Sequence, residues 1–83
     1  MITSRLGTIT GNQSITSAIP QGSIIFIGRK DADAYAVYMI DHWNKICTFV
    51  ENSRFSTLTY ANASVTIKNN LSVAISYVII MPK

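Results

Sequence analysis

The chain has 83 residues, with seven Lys and Arg against four Asp and Glu, one His and one Cys; 48% of it is hydrophobic and 13% charged. A single cysteine excludes an internal disulfide, and the absence of a Cys/His cluster excludes a structural metal, so a chain that buries only about 60 to 65% of its unfolded surface must find support elsewhere. The formal charge of +3 is spread over Arg5, Arg29, Lys30, Lys45, Arg54, Lys68 and Lys83 without a dense patch, which argues against a nucleic-acid surface and reads as a solubility feature.

The N-terminal stretch MITSRLGTITG has no apolar h-region, so no signal peptide is expected. In order, Arg5–Thr10 is β-prone and partly alternating, a weak edge strand closed by Gly11-Asn12. Gln13–Ile19 resumes with Ile15, Ser17 and Ile19 on one face, and Pro20-Gln21-Gly22 breaks it. Ser23–Gly28 is apolar on both faces, the pattern of a core strand. After the charged loop Arg29–Asp33, Ala34–Asp41 alternates Tyr35, Val37 and Met39 with Ala34, Ala36, Tyr38 and Ile40, so both of its faces read as covered.

His42-Trp43-Asn44-Lys45 reads as a hairpin loop before the strand Ile46–Glu51. Asn52-Ser53-Arg54 is the next turn, Phe55–Tyr60 a Thr-rich strand, and Ala61-Asn62-Ala63 a turn into Ser64–Lys68. Asn69-Asn70 then reads as the tight turn of a last hairpin, because Asn tolerates left-handed backbone. The closing strand Leu71–Met81 places Leu71, Val73, Ile75, Tyr77, Ile79 and Met81 on a core face, with Ser72, Ala74, Ser76, Val78 and Ile80 opposite. Its apolar part is too short for a membrane-spanning helix of about 20 residues, so no membrane insertion is expected. Eight candidate strands with frequent turn signals and no helical period predict an all-β, single-domain antiparallel sandwich over residues 1–83, jelly-roll-like in connection.

An ordinary soluble domain is about 25% charged; with so little charge here, some strand faces are expected to meet another subunit, making the chain a homo-oligomer. Val78 and Ile80, the apolar end of a face that starts polar, are the first candidates for that contact, and the small Ala34 and Ala36 are the second, although close sheet packing explains the alanines equally well.

Chemistry has few handles. His42, Cys47 and Asp41 are the only constituents of a nucleophilic site, and a packed strand cysteine beside an exposed loop histidine accounts for them without catalysis. Asp31 and Asp33 beside Arg29 and Lys30 read as a self-neutralising loop in preference to a hard-cation site. Four acids, mostly in turns, do not make a glycosidase pair, and the four isolated glycines make no phosphate cradle. No enzyme activity, metal or cofactor is therefore expected. Trp43, flanked by Asp41, His42, Asn44 and Lys45, is the candidate ligand-binding cluster, an exposed ring able to stack on a sugar with polar neighbours for its hydroxyls; the alternative is an aromatic capping the end of the core.

Three stretches, GSIIFI (Gly22–Ile27), AYAVYMID (Ala34–Asp41) and VTIKNNLSVAISYVII (Val65–Ile80), resemble the C-terminal domains of bacteriophage tail fibres and related receptor-binding fibre tips. The resemblance implies a β-sandwich knob that forms a homotrimer on the virion tail and either contacts a bacterial surface glycan or protein or acts as a structural trimerisation unit for a larger fibre polypeptide. It transfers no binding residues.

Overall fold

The computed structural model describes residues 2–82; Met1 and Lys83, the two ends of the single-domain reading, lie outside the described residues. Among these there are eight strands, β1 (Ile2–Ile9), β2 (Ser14–Ala18), β3 (Ile24–Gly28), β4 (Tyr35–Ile40), β5 (Ile46–Glu51), β6 (Ser56–Ala61), β7 (Ser64–Asn69) and β8 (Ile75–Pro82), and no helix. They make two antiparallel sheets, one of five strands in the order β1-β8-β3-β4-β5 and one of three in the order β2-β7-β6. The protein is a small all-β sandwich, as the alternation predicts.

Alternation explains the core. Ile25 and Ile27 of β3, Ala36, Tyr38 and Ile40 of β4, and Ile75, Ile79 and Met81 of β8 point inward from the large sheet. Val65 and Ile67 of β7, with Ile15, Leu58 and Tyr60 beside them, face them from the small sheet. The core is dominated by isoleucine, whose branched side chain fits a pleated surface, and each fully buried one contributes about 1.5 to 3 kcal/mol of transfer free energy. Ala34 and Ala36 belong to this interior, with Ala36 only 1% exposed. The expectation that they meet a neighbouring subunit is thereby corrected: both are enclosed in the sandwich's own core, Ala36 beside Tyr38 and Ile40 on the inward face of β4, whose other face carries Tyr35, Val37 and Met39.

The connections follow a rolled hairpin in their outer part. β1 pairs with β8 in one sheet and β2 with β7 in the other, as when a long two-stranded ribbon is folded over itself. Further in, the chain departs from a full roll and closes local hairpins, β3 with β4, β4 with β5 and β6 with β7. The β6–β7 turn places Asn62 and Ala63 at φ 54° and 58°, the pair of left-handed residues that a two-residue hairpin of the right twist requires.

The sequence expectation fails at Asn69-Asn70. β7 and β8 are in different sheets, so the segment is a crossing and not a hairpin turn, and β8 begins at Ile75, leaving Leu71, Ser72, Val73 and Ala74 outside it. The cause is Asn69 itself, fully buried. Its Nδ2 donates to the carbonyls of Ile9 (3.0 Å), Thr10 (3.2 Å) and Val73 (2.8 Å), while its Oδ1 accepts from the Leu71 N–H (2.9 Å). One side chain therefore satisfies the backbone of two crossings, β1 to β2 and β7 to β8, which run side by side at one end of the sandwich. They are joined further by Asn12 N–H to Leu71 O (2.8 Å) and Asn69 N–H to Gln13 O (2.9 Å). Such a seam meets the requirement that buried backbone groups be paired where the ladder stops.

Candidate interaction surface

The two outward faces of the sandwich differ in chemistry. On the small sheet, alternation exposes Ser14, Thr16 and Ala18 of β2, Ser64, Thr66 and Lys68 of β7, and Thr57, Thr59 and Ala61 of β6. Thr16, Thr66 and Thr59 align in one row, with the Thr16 and Thr66 hydroxyls 3.0 Å apart. This is an ordinary water-facing surface of hydroxyls and one lysine.

On the large sheet, the strand registers align Leu6, Val78, Phe26, Val37 and Val50, one residue from each of the five strands, in a continuous apolar row. The neighbouring row is Ser4, Ile80, Ile24, Met39 and Cys47. Leu6 is 72% exposed, Val50 41% and Phe26 39%, and the bulge between Val37 and Tyr38 leaves Phe49 exposed beside them on β5. None of the outward-facing residues of these five strands is Asp, Glu, Lys or Arg. Arg5, the one charge within β1, falls on the inward side of the pleat and reaches across to the Ser17 hydroxyl and the Ala18 carbonyl of the small sheet. With strands about 4.8 Å apart and about 3.3 Å per residue, two such rows and their flanks cover roughly 400 Å² in plan. A contiguous apolar patch of that size is of the kind that often serves a function on a folded chain. Val78 and Ile80, singled out from the sequence, stand at its centre.

The β4–β5 loop sits at one end of this face. Asp41 Oδ1 accepts from the N–H groups of Trp43 (2.8 Å) and Lys45 (2.9 Å), and Asn44 takes a left-handed φ of 58°. Gln21 Nε2 donates to Asn44 Oδ1 (2.7 Å) and to the His42 carbonyl (3.2 Å), tying the loop to the β2–β3 connection. Asp41 thus spends one carboxylate oxygen on the loop itself, a role local side-chain hydrogen bonding gives this residue type, and Asn44 spends its amide oxygen on the β2–β3 connection. Trp43 is 75% exposed, its ring edge-on to His42 at 6.3 Å and 88°. A shallow recess of about 430 Å³, lined among others by Met39, Gln21, His42 and Trp43, joins the loop to the end of the apolar face.

A second recess, about 210 Å³, opens where β5 overhangs the small sheet and is lined by Tyr38, Thr48, Glu51, Arg54 and Ser56 among others. Tyr38 donates to Glu51 Oε2 (2.7 Å), and Arg54 reaches Oε1 (3.3 Å). Burial, followed by the hydrogen bond to the carboxylate, pushes Tyr38 up to about 12, while that same bond and Arg54 hold Glu51 below its ordinary range. A raised tyrosine favours the folded state while it is protonated, so its contribution is complete below pH 10.0 and is lost as pH climbs toward about 12. The expected result is one late-ionising tyrosine in an absorbance titration, abolished by Tyr38→Phe, with the melting temperature of the wild type falling over that same window.

The remaining chemical candidates disperse. Asp31 takes both branches of the Arg29 guanidinium (2.8 and 2.6 Å), which holds its carboxyl below the usual range. No group of three or more metal-ligating side chains forms among the described residues. Cys47 lies exposed on the apolar face opposite Met39, whereas His42 lies in the loop edge-on to Trp43. The structure therefore gathers Asp41, His42, Trp43, Asn44 and Lys45 in one loop, places Val78 and Ile80 on the open face, and encloses Ala34 and Ala36. The sequence did not single out Leu6, Phe26, Val37, Met39 and Val50 for this face. The signal was present, since SIIFIG and AYAVYMID are apolar on both faces, but only the register across strands joins them into one surface.

Comparison with protein-family models, with curated proteins and with solved structures gives no match to this chain.

Proposed function

We propose that the chain is a non-enzymatic assembly module, in which copies of the sandwich associate through the outer face of the five-stranded sheet. The observation that carries this reading is the charge-free apolar face itself, set against a small sheet whose outward residues are mostly Ser and Thr, with Ala18, Ala61 and Lys68. A surface that excludes charge across five strands favours an apolar partner and disfavours nucleic acid or an acidic peptide. The fibre-tip likeness supplies a setting, a knob on a phage tail, and a number of copies, three. Recognition of a bacterial surface glycan or protein would fall first to Trp43, His42 and Lys45, with Asp41 and Asn44 each holding the loop through one side-chain oxygen.

The charge-free face also supports the second reading, a structural unit for a larger fibre polypeptide whose only partners are protein. Two measurements separate the readings. Sedimentation equilibrium across micromolar to millimolar concentrations should give a mass above one chain; a monomer throughout overturns the assembly reading. Trp43→Ala should abolish binding to bacterial cells or a glycan array with assembly intact if the loop recognises a receptor, and no binding by either protein assigns the chain to the structural reading.

A further inference from the structure

We propose that the recess between the edge strands β5 and β6 binds a small zwitterion, an α-amino acid with a short branched apolar side chain, between the Glu51 carboxylate and the Arg54 guanidinium. The inference stands apart from the assembly reading, because the recess opens on one side of the sandwich and not on the outer face of the large sheet. The two sides differ. On the β1 side, Arg5 spans the gap to the Ser17 hydroxyl and the Ala18 carbonyl of β2. On the β5 side, the gap toward β6 stays open as a recess of about 210 Å³, smaller than the roughly 300 to 1,000 Å³ of sites for drug-sized ligands.

A bulge aims the carboxylate. Tyr38 of β4 pairs with Thr48 and Ala36 pairs with Glu51, so β5 has one residue more than β4 over this span. Strict alternation from Thr48 would turn Glu51 outward; the extra residue turns it inward, beside Thr48 and Tyr38, as bulges do where a side chain is re-aimed. There Tyr38 donates to Oε2 (2.7 Å), which keeps the carboxylate ionised and oriented with only 19% of the side chain exposed. Oε1 receives Arg54 Nε alone, at 3.3 Å, which leaves it room for an ammonium group. Neither Nη group of Arg54 is bonded among the described residues, so both are open to a carboxylate. A carboxylate and a guanidinium in mutual contact match a ligand whose two charges sit on one carbon. Ile46 and Leu58 give the recess an apolar wall for a short side chain. A plain anion would meet Glu51 and a plain cation would meet Arg54, each at like charge, and a sugar would leave both ions with neutral partners only.

The test is an amide NMR titration of the wild type with L-valine, and with isovalerate and isobutylamine, which lack its ammonium and its carboxylate respectively. The expected result is saturable shifts confined to β5, the turn that follows it and the start of β6, with a dissociation constant of about 1 mM, in keeping with so small a ligand. Each single-charge analogue should bind at least about tenfold more weakly, and so should valine to Glu51→Gln and to Arg54→Met. Arg54 lies on an exposed turn, so Arg54→Met remains informative if Glu51→Gln fails to fold; circular dichroism checks each. Shifts centred outside the recess, or no saturation by valine, overturn the inference. Equal binding of either analogue, or undiminished binding of valine by folded Arg54→Met, removes the match to a zwitterion and overturns it as well. Saturation by glucose in place of valine overturns it in favour of a sugar site.

Discussion

Asn69→Leu is expected to remove about 3 to 5 kcal/mol of stability, measured by urea denaturation of the wild type and the variant. The argument is one of stranded partners. Leucine fills a similar volume, but it leaves the carbonyls of Ile9, Thr10 and Val73 and the N–H of Leu71 without the side chain that pairs them. A buried polar group left unpaired costs about 1 to 3 kcal/mol, and the total falls short of a simple sum because the crossings relax and admit water. A chain of this size has a whole stability of about 4 to 12 kcal/mol, so the variant sits near the edge of folding. Its neighbour is the control. Asn70 is exposed and makes one side-chain bond, Nδ2 to Thr57 Oγ1 (2.8 Å), so Asn70→Ala should cost at most about 1 kcal/mol. Equal losses at the two positions would refute the role given to Asn69.

The contrast between Asn69 and Asn70 also marks where the sequence stops being readable. Two asparagines between alternating runs are what a tight hairpin turn looks like, because the type of residue reports a local backbone preference. What decides the outcome is non-local: Asn69 reaches carbonyls about sixty positions earlier in the chain, at Ile9 and Thr10, and no spacing rule encodes that. The strands themselves were legible because alternation is local. Ile75, Ile79 and Met81 point inward as the period of two demands, and so do Ile15, Val65 and Ile67. Leu71 and Val73 continue the same alternation yet lie outside β8, since alternation by itself does not say where pairing begins.

The interaction surface divides in the same way. The outward placing of Val78 and Ile80 is legible because alternation along β8 sets them opposite the core residues Ile79 and Met81. Ala34 and Ala36 are ambiguous in the sequence because small residues suit a close subunit contact and a close sheet contact equally, and only the pairing of Ala36 with Ile27 and the burial of both residues decide between them. Phe26 and Leu6 gain their meaning from lying in one row with Val78, a relation set by register between strands far apart in sequence.

The second large effect is expected at the same seam, from a residue whose role is space. Gly11 has no left-handed φ that would demand glycine. A methyl group built on it would nevertheless stand 2.5 Å from the carbonyl carbon of Ser72 and closer still to the carbonyl oxygen. These are backbone atoms of the other crossing, held by the Asn12 N–H bond to Leu71 O (2.8 Å), so they have no rotamer with which to retreat. Gly7 offers the contrast: a methyl there meets the ring of Tyr77, a side chain that can swing away at the loss of its packing. Gly11→Ala should therefore cost about 2 to 3 kcal/mol, the upper part of the usual range for overpacking, and more than Gly7→Ala under the same denaturant titration. Combined with Asn69→Leu it should cost less than the two losses added, because both changes part the same pair of crossings and the second finds them already separated. Additive losses would mean that the two residues hold independent parts of the fold, and the seam would not be a unit.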